Sequence, residues 1–78
     1  MDDLLAGRRV LVIGGSSGIG EATARRATLA GAAVTIASRS ADRLAAALER
    51  LPAGVASAPL DVGDADAVDA WFAAHAPW

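Results

Sequence analysis

The 78-residue sequence contains no cysteine, lysine, tyrosine or asparagine, and His75 is its only histidine. The absence of cysteine excludes disulfide bonds, and a single histidine cannot build a Cys/His zinc site. Such devices often stabilise chains of this size, whose cores seldom contribute more than about 3–5 kcal/mol. We therefore expect a fragment, a truncated reading frame or part of a longer chain.

Clustered positive charge and long apolar runs are also missing. The net charge is −2, and the seven basic residues are scattered arginines. Nucleic-acid surfaces need clustered basic residues, and a membrane span needs about 18 apolar residues in succession, so neither partner is predicted. The start of the chain, Met1-Asp2-Asp3, is acidic where a secretory signal is basic. We expect a cytoplasmic protein.

Short apolar runs alternate with helical patterns along the chain. Residues 10–13 are rich in β-branched side chains and predict a strand that is buried on both faces, and residues 34–37 predict a second strand. Residues 55–60 predict a weaker third strand. The resulting β-α-β-α-β-α order predicts an α/β fold with a parallel sheet and right-handed crossovers, half of a doubly wound fold with strand order 3-2-1.

Three helices are predicted from start and stop signals. They run over residues 18–30 with Gly31 as the stop, from the cap Ser40 to Pro52, and from a cap at Asp64 or Asp66 to Pro77. Helical spacing predicts one apolar face on each helix. The predicted faces are Ile19, Ala22, Ala27 and Ala30; then Leu44, Leu48 and Leu51; then Val68, Trp71, Phe72 and His75.

A glycine-rich segment over residues 14–20, Gly-Gly-Ser-Ser-Gly-Ile-Gly, joins the first strand to the first helix. Glycines let a backbone approach a ligand closely, and the N–H groups at a helix start suit a pyrophosphate. A P-loop is excluded because Glu21 stands where its lysine belongs and would repel a triphosphate. The Gly-x-Gly-x-x-Gly pattern also fails, since Thr23 takes the third glycine position. The spacing that remains is Gly-x-x-x-Gly-x-Gly, formed by Gly14, Gly18 and Gly20.

This pattern resembles the cofactor loop of the short-chain dehydrogenase/reductase family. The resemblance extends to three further segments. Residues 7–12 resemble the family's usual lead-in to the first strand, and residues 37–39 resemble its NADP-preferring end of the second strand. Residues 60–62 resemble its adenine-side motif after the third strand. The chain departs from the family at Ile13, where threonine is usual. The resemblance implies a Rossmann-type fold, with residues 1–78 as the N-terminal cofactor-binding portion that stops before the catalytic half.

The end of the second strand bears on the choice of cofactor. NAD-binding folds usually place an acidic residue there to bond the ribose 2′-hydroxyl, but this chain has no carboxylate between Glu21 and Asp42. Arg39 is suited to pair with a 2′-phosphate, and Ser16 or Ser38 could add a hydroxyl. A solvated turn residue is the other interpretation of Arg39. We predict a preference for NADP(H) over NAD(H).

The resemblance also implies that Asp61 accepts a hydrogen bond from the adenine amino group and that the Val62 backbone adds a contact. The alternative for Asp61 is the start of a turn before Gly63. Ser16 and Ser17 stay open between phosphate contact and loop solvation. The predicted cofactor-binding residues are Gly14, Ser16, Ser17, Gly18, Ile19, Gly20, Ser38, Arg39, Asp61 and Val62.

The resemblance implies hydride transfer between nicotinamide and a small carbonyl or alcohol substrate. The family's usual acid/base is a tyrosine beside a lysine, supported by serine and asparagine, and three of these four residue types are absent here. We predict no catalytic residue and no metal site in this chain, and a homo-oligomer for the intact enzyme. Two functions stay open: part of an NADP-dependent oxidoreductase, or a stand-alone, non-catalytic nucleotide-binding or interaction module.

Overall fold

The computed structural model describes residues 4–14 and 18–76. Strands and helices alternate as β1 (Arg9–Ile13), α1 (Gly18–Leu29), β2 (Ala33–Ser38), α2 (Ala41–Arg50), β3 (Ala56–Pro59) and α3 (Ala65–Ala74). β1 and β3 each pair in parallel with β2, which is the central strand. The predicted fold class, an α/β fold with a Rossmann-type parallel sheet in the order 3-2-1, is confirmed.

Side chains cap the starts of α2 and α3. The Ser40 hydroxyl accepts a hydrogen bond from the backbone N–H of Arg43 at 3.2 Å. The Asp64 carboxylate accepts one from the N–H of Ala67 at 3.1 Å. Both helices therefore begin where the sequence predicts a cap, and Asp64 rather than Asp66 is the cap of α3.

Gly31 ends α1, as predicted. Its φ of 96° lies in the left-handed region, which glycine occupies without a side-chain clash. The next N–H, that of Ala32, donates to the carbonyl oxygen of Ala27 at 3.1 Å, and the Gly31 N–H donates to Thr28 at 3.0 Å. This pair of bonds is a Schellman motif, which satisfies the last helix carbonyls and turns the chain into β2.

The two faces of the sheet carry separate hydrophobic cores. α1 and α2 cover one face, where the first core surrounds the fully buried Ile36 and Leu44. α3 covers the other face, over a smaller second core that consists of Ala37, Ala58 and Leu60. Neighbouring residues of a strand point to opposite faces, so Ile36 and Ala37 belong to different cores.

The buried face of α1 differs from the prediction. Ala24 and Ala27 are buried against the sheet, whereas Ile19 is 86% exposed, Ala22 is exposed and Ala30 is only half-buried. Alanines occupy several faces of this helix, so the sequence pattern does not single one out. The crossover from β1 to β2 turns the face with Ala24 and Ala27 inward, and their small side chains allow close packing on the strands.

The predicted apolar stripe of α3 is only partly buried. Val68 and Trp71 are half-buried and pack on the second core. Phe72 is 37% exposed and meets Trp71 edge-to-face with ring centroids 5.0 Å apart, and the exposed His75 stacks on Trp71 at 4.1 Å. The interpretation of Phe72 as a core residue is wrong, because α3 contacts only a small second core and buries no residue fully.

β1 lies at one edge of the sheet. Within residues 4–14 and 18–76 it pairs only with β2. Leu11, on the face covered by α3, is half-buried, and Ile13 is 51% exposed. An open edge with apolar side chains is what the strand order 3-2-1 leads one to expect for the first strand.

A bidentate ion pair joins α1 to α2. The Arg50 Nε donates to both carboxylate oxygens of Glu21, at 3.0 and 3.1 Å, and one terminal nitrogen donates at 2.9 Å. Arg25 lies 3.6 Å from the same carboxylate and donates to the backbone carbonyl of Arg50. The hydrogen bond from Arg50 holds the pKa of Glu21 below its ordinary value of 4.5. The pair therefore links the start of one helix to the end of the next.

This ion pair predicts a pH dependence of stability. A carboxylate with a lowered pKa stabilises the fold above its unfolded-state value and loses that contribution as the pH falls through the folded-state value. We expect Glu21→Gln to melt below the wild type at about pH 7, and the gap to close as the pH drops below 4.5. Thermal melts followed by circular dichroism from about pH 3 to pH 7 check this; a gap that is constant with pH would contradict it.

Candidate functional site

The turn after β1 starts at the carboxyl end of that strand. Gly14 has a φ of 75°, and its N–H donates to the carbonyl oxygen of Ala37 at 2.8 Å, which holds the turn against β2. Ile13, where the chain departs from the family pattern, points a half-exposed side chain into the cavity described below. Ser16 and Ser17, predicted as phosphate contacts, lie outside the described residues.

The start of α1 combines helix N–H groups with open space. The first N–H groups of a helix have no partner within the helix and carry partial positive charge. Gly18 is exposed, and a Cβ atom there would meet no described atom within 4 Å. Gly20 is half-buried. The Thr23 hydroxyl donates a hydrogen bond to the carbonyl oxygen of Ile19 at 3.0 Å, and the Ile19 side chain is exposed. This geometry leaves room for an anionic group.

The carboxyl end of β2 carries hydroxyl and guanidinium groups. The Ser38 hydroxyl accepts a hydrogen bond from the N–H of Ser40 at 3.4 Å, which shapes the turn into α2. Arg39 and Arg43 are exposed and, with the two serines, line a cavity of about 490 Å³. Two guanidinium groups beside two hydroxyls favour an anion that accepts several hydrogen bonds, such as a phosphate.

The carboxyl end of β3 forms a tight turn. The N–H of Leu60 donates to the carbonyl oxygen of Ser38 at 2.8 Å, which extends the pairing with β2. One carboxylate oxygen of Asp61 accepts from the N–H of Gly63 at 2.9 Å. Val62 is 49% exposed. The turn that the sequence offers as an alternative for Asp61 is therefore present, and it engages only one carboxylate oxygen.

These three strand ends meet at one cavity of about 430 Å³. Its lining comprises Ile13, Gly14, Ala37, Ser38, Arg39, Leu60, Asp61, Val62 and Gly63. Because all three strands are parallel, their carboxyl ends lie at the same edge of the sheet, where ligands of open α/β sheets bind. Five predicted residues are brought together here: Gly14, Ser38, Arg39, Asp61 and Val62. Gly18, Ile19 and Gly20 lie on α1, outside this lining.

Arg43 is the site residue that the sequence reasoning missed. It lies on the first turn of α2 and lines the same cavity as Arg39. Its place on the first turn of α2, three residues after the cap Ser40, brings its side chain back toward the turn that contains Arg39. The sequence pattern alone offers no reason to prefer this arginine over the six others.

The described part of the chain has neither a membrane-spanning helix nor a cluster of metal ligands. Residues 4–14 and 18–76 contain no helix with the length and apolar character needed to cross a bilayer. The same residues hold no group of three or more His, Asp or Glu side chains arranged for a metal ion.

The sequence model of one protein family, described as short chain dehydrogenase, matches residues 8–76. Glucose 1-dehydrogenase of Gluconobacter oxydans (strain 621H) is 52% identical over 50 residues, which are 64% of this chain and 19% of that protein. The match to the family thus covers all six strands and helices, while the chain spans about a fifth of the length of this curated relative.

Solved structures also superpose on this chain over nearly its whole length. The citronellol catabolism dehydrogenase of Pseudomonas aeruginosa PAO1 superposes with a TM-score of 0.88 at 28% identity, over 96% of this chain and 33% of that one. A structure of Pseudomonas aeruginosa RhlG, described as an NADP active-site complex, superposes with a TM-score of 0.82 at 35% identity, over 96% and 31%. The fold described above therefore matches about a third of each of these two structures.

Proposed function

The chain belongs to the short-chain dehydrogenase family, and we propose that it is the NADP(H)-binding portion of an oxidoreductase. The reaction proposed for the whole enzyme is hydride transfer between the nicotinamide and a carbonyl or alcohol substrate. One observation carries the proposal: the glycine turn and the ends of β2 and β3 border a single cavity at the carboxyl edge of a parallel sheet. Dinucleotides bind at this edge in folds of this kind.

The residues present fit a dinucleotide. The open space at Gly18 and the N–H groups at the start of α1 suit the pyrophosphate, with Gly14, Ser16, Ser17 and Gly20 in the same segment. On this proposal the adenine lies near Val62 and the carboxylate oxygen of Asp61 that the turn does not engage. The exposed Ile19 side chain would pack on the bound cofactor and exclude water from its face.

The preference for NADP rests on positive charge at the end of β2. Arg39 and the newly found Arg43 would hold the 2′-phosphate between them, with the hydroxyl of Ser38 as a further donor. An NADP complex of a relative that is 35% identical is in keeping with this cofactor. Asp42, on the same turn of α2, is the nearest acidic residue in sequence, and it does not line this cavity.

Hydride chemistry is supplied by the nicotinamide when the cofactor is bound, and this chain's own residues would bind and orient it. The 78 residues contain no tyrosine and no lysine to act as the acid/base pair, so catalysis would depend on residues outside this sequence. The same absence favours the second candidate, a nucleotide-binding module without catalysis. We propose a soluble cytoplasmic enzyme that acts as a homo-oligomer on a small molecule, with residues 1–78 as the cofactor-binding portion.

Titration of the purified protein with NADPH and with NADH tests the binding proposal. We expect saturable enhancement of reduced nicotinamide fluorescence, with tighter binding of NADPH. Binding of neither dinucleotide by folded protein would reject the proposed function. Binding with no turnover of any carbonyl or alcohol substrate would favour the non-catalytic module.

Arg39→Asp should reverse the cofactor preference. The variant removes a charge-assisted pair with the 2′-phosphate, worth about 1.5–3 kcal/mol, and adds an acceptor for the 2′-hydroxyl of NADH. We expect the ratio of the Kd values for NADPH and NADH to rise by at least about tenfold. Arg8→Asp makes the same charge change before β1, at the opposite end of the strand, and serves as the control. An unchanged ratio in Arg39→Asp would remove this role.

A further inference from the structure

We propose that Arg50 is a positioning residue for the cofactor phosphates, which acts by neutralising Glu21 at the start of α1. The inference rests on the proposed function, because it concerns how the start of α1 receives a pyrophosphate. The glycine pattern predicts a phosphate site, yet a carboxylate, Glu21, directly follows Gly20, the last residue of that pattern. The inference explains how this negative charge is compensated.

The position of Glu21 makes its charge matter for an anion. It is the fourth residue of α1 and lies in the first turn, where the dipole of the helix acts. Its side chain is 14% exposed and faces Arg50 and Arg25. A negative charge at this position stabilises an empty helix start through the helix dipole, yet the same charge opposes a bound phosphate.

The contacts of Arg50 are those of a residue that cancels this charge. Three nitrogen–oxygen contacts of 2.9 to 3.1 Å reach both carboxylate oxygens of Glu21. Such bidentate, charge-assisted hydrogen bonds are stronger than hydrogen bonds between neutral groups. The hydrogen bond from Arg50 also lowers the pKa of Glu21, which shows that this contact favours the charged form of the carboxylate.

Arg25 cannot take over this role in the observed geometry. It makes one longer contact of 3.6 Å with Glu21, and its terminal nitrogen donates to the backbone carbonyl of Arg50. That bond ties Arg25 to the end of α2, where it steadies the backbone from which Arg50 reaches across. Arg50 is therefore the main partner of the carboxylate, and Arg25 supports it.

The decisive comparison is between Arg50→Gln and the double variant Glu21→Gln/Arg50→Gln. The single variant leaves the carboxylate with only the longer Arg25 contact, and we expect binding of both NADPH and NADH to weaken about 5–10-fold at low salt. The double variant has the net charge of the wild type and no carboxylate at position 21, and we expect affinity within about twofold of the wild type. Arg26→Gln, on the last turn of α1, is the control for loss of one positive charge.

Salt separates charge compensation from a mechanical role. Screening by about 0.5 M NaCl should shrink the defect of Arg50→Gln, relative to the wild type at the same salt, to about twofold. A purely mechanical tie between the helices predicts a defect that salt does not change and that the double variant does not repair. Circular dichroism and thermal melts establish that each variant is folded before titration.

Each outcome decides between the two ideas. Repair by the double variant together with the salt effect supports the inference. Wild-type affinity in Arg50→Gln, or a weak double variant that is folded, overturns the inference and leaves the proposed function intact. A wild type that binds neither dinucleotide overturns the proposed function, and the inference falls with it.

Discussion

Gly18→Val is expected to abolish measurable dinucleotide binding while leaving the fold intact. The backbone of Gly18 is outside the left-handed region, and a Cβ atom there meets no described atom within 4 Å, so we expect the free protein to accommodate valine. The added methyl groups would occupy the space at the start of α1 that the phosphates need. Loss of two charge-assisted hydrogen bonds, at about 1.5–3 kcal/mol each, corresponds to at least about a 100-fold rise in Kd.

Titration with NADPH and a thermal melt of the same preparation check this prediction. The stability change should stay within about 1 kcal/mol, because valine is no worse than glycine in a helix. Ala22→Val, on an exposed face of α1, adds bulk to the same helix and should leave Kd unchanged. Tight binding by Gly18→Val would show that the ligand does not approach the helix start.

Leu44→Ala should cost a large part of the folding free energy. Leu44 is 1% exposed and lies at the centre of the first core, between α2 and the sheet. Truncating a buried leucine to alanine costs about 2–5 kcal/mol through lost burial and the cavity left behind. Domains of this size have little stability to spare, so a substantial unfolded fraction is expected even without denaturant.

Urea unfolding followed by circular dichroism measures this loss as a lower midpoint. Leu29→Ala is the matched control, since Leu29 is 63% exposed at the end of α1. Its cost should stay below about 0.5–1 kcal/mol, as for surface substitutions away from special features. Equal costs for the two variants would contradict the assignment of Leu44 to the core.

The turns at the carboxyl edge of the sheet were largely predictable, because each is set by interactions between residues that are close in sequence. A glycine turn after an apolar strand, a serine cap and an aspartate before a glycine each act within a few residues of the chain. The hydrogen bonds that Ser40 and Asp61 accept are local in this sense. The bond from Gly14 to Ala37 follows from the pairing of β1 with β2. Which ligand groups these residues bind stays a prediction, and so do the roles of Ser16 and Ser17.

Contacts between distant segments were not predictable in the same way. Glu21 and Arg50 are 29 positions apart, and nothing in the pattern pairs this glutamate with this arginine among seven. Arg43 reached the site only through the angle at which α2 leaves β2. The position of Phe72 depended on how much of the sheet α3 covers, which no property of α3 itself reveals.

By itself, the sequence determined the order of strands and helices, the end of α1 at Gly31, the start of α2 at Ser40, the parallel sheet and the family. These follow from apolar runs, caps and glycines that act over a few residues, and from the handedness of crossovers. Only the tertiary structure decided which face of the alanine-rich α1 is buried, how α1 is joined to α2, and which arginines border the cavities at the carboxyl edge of the sheet. Those outcomes depend on the distance and angle between packed elements, and a chain with 21 alanines carries little side-chain pattern to specify them.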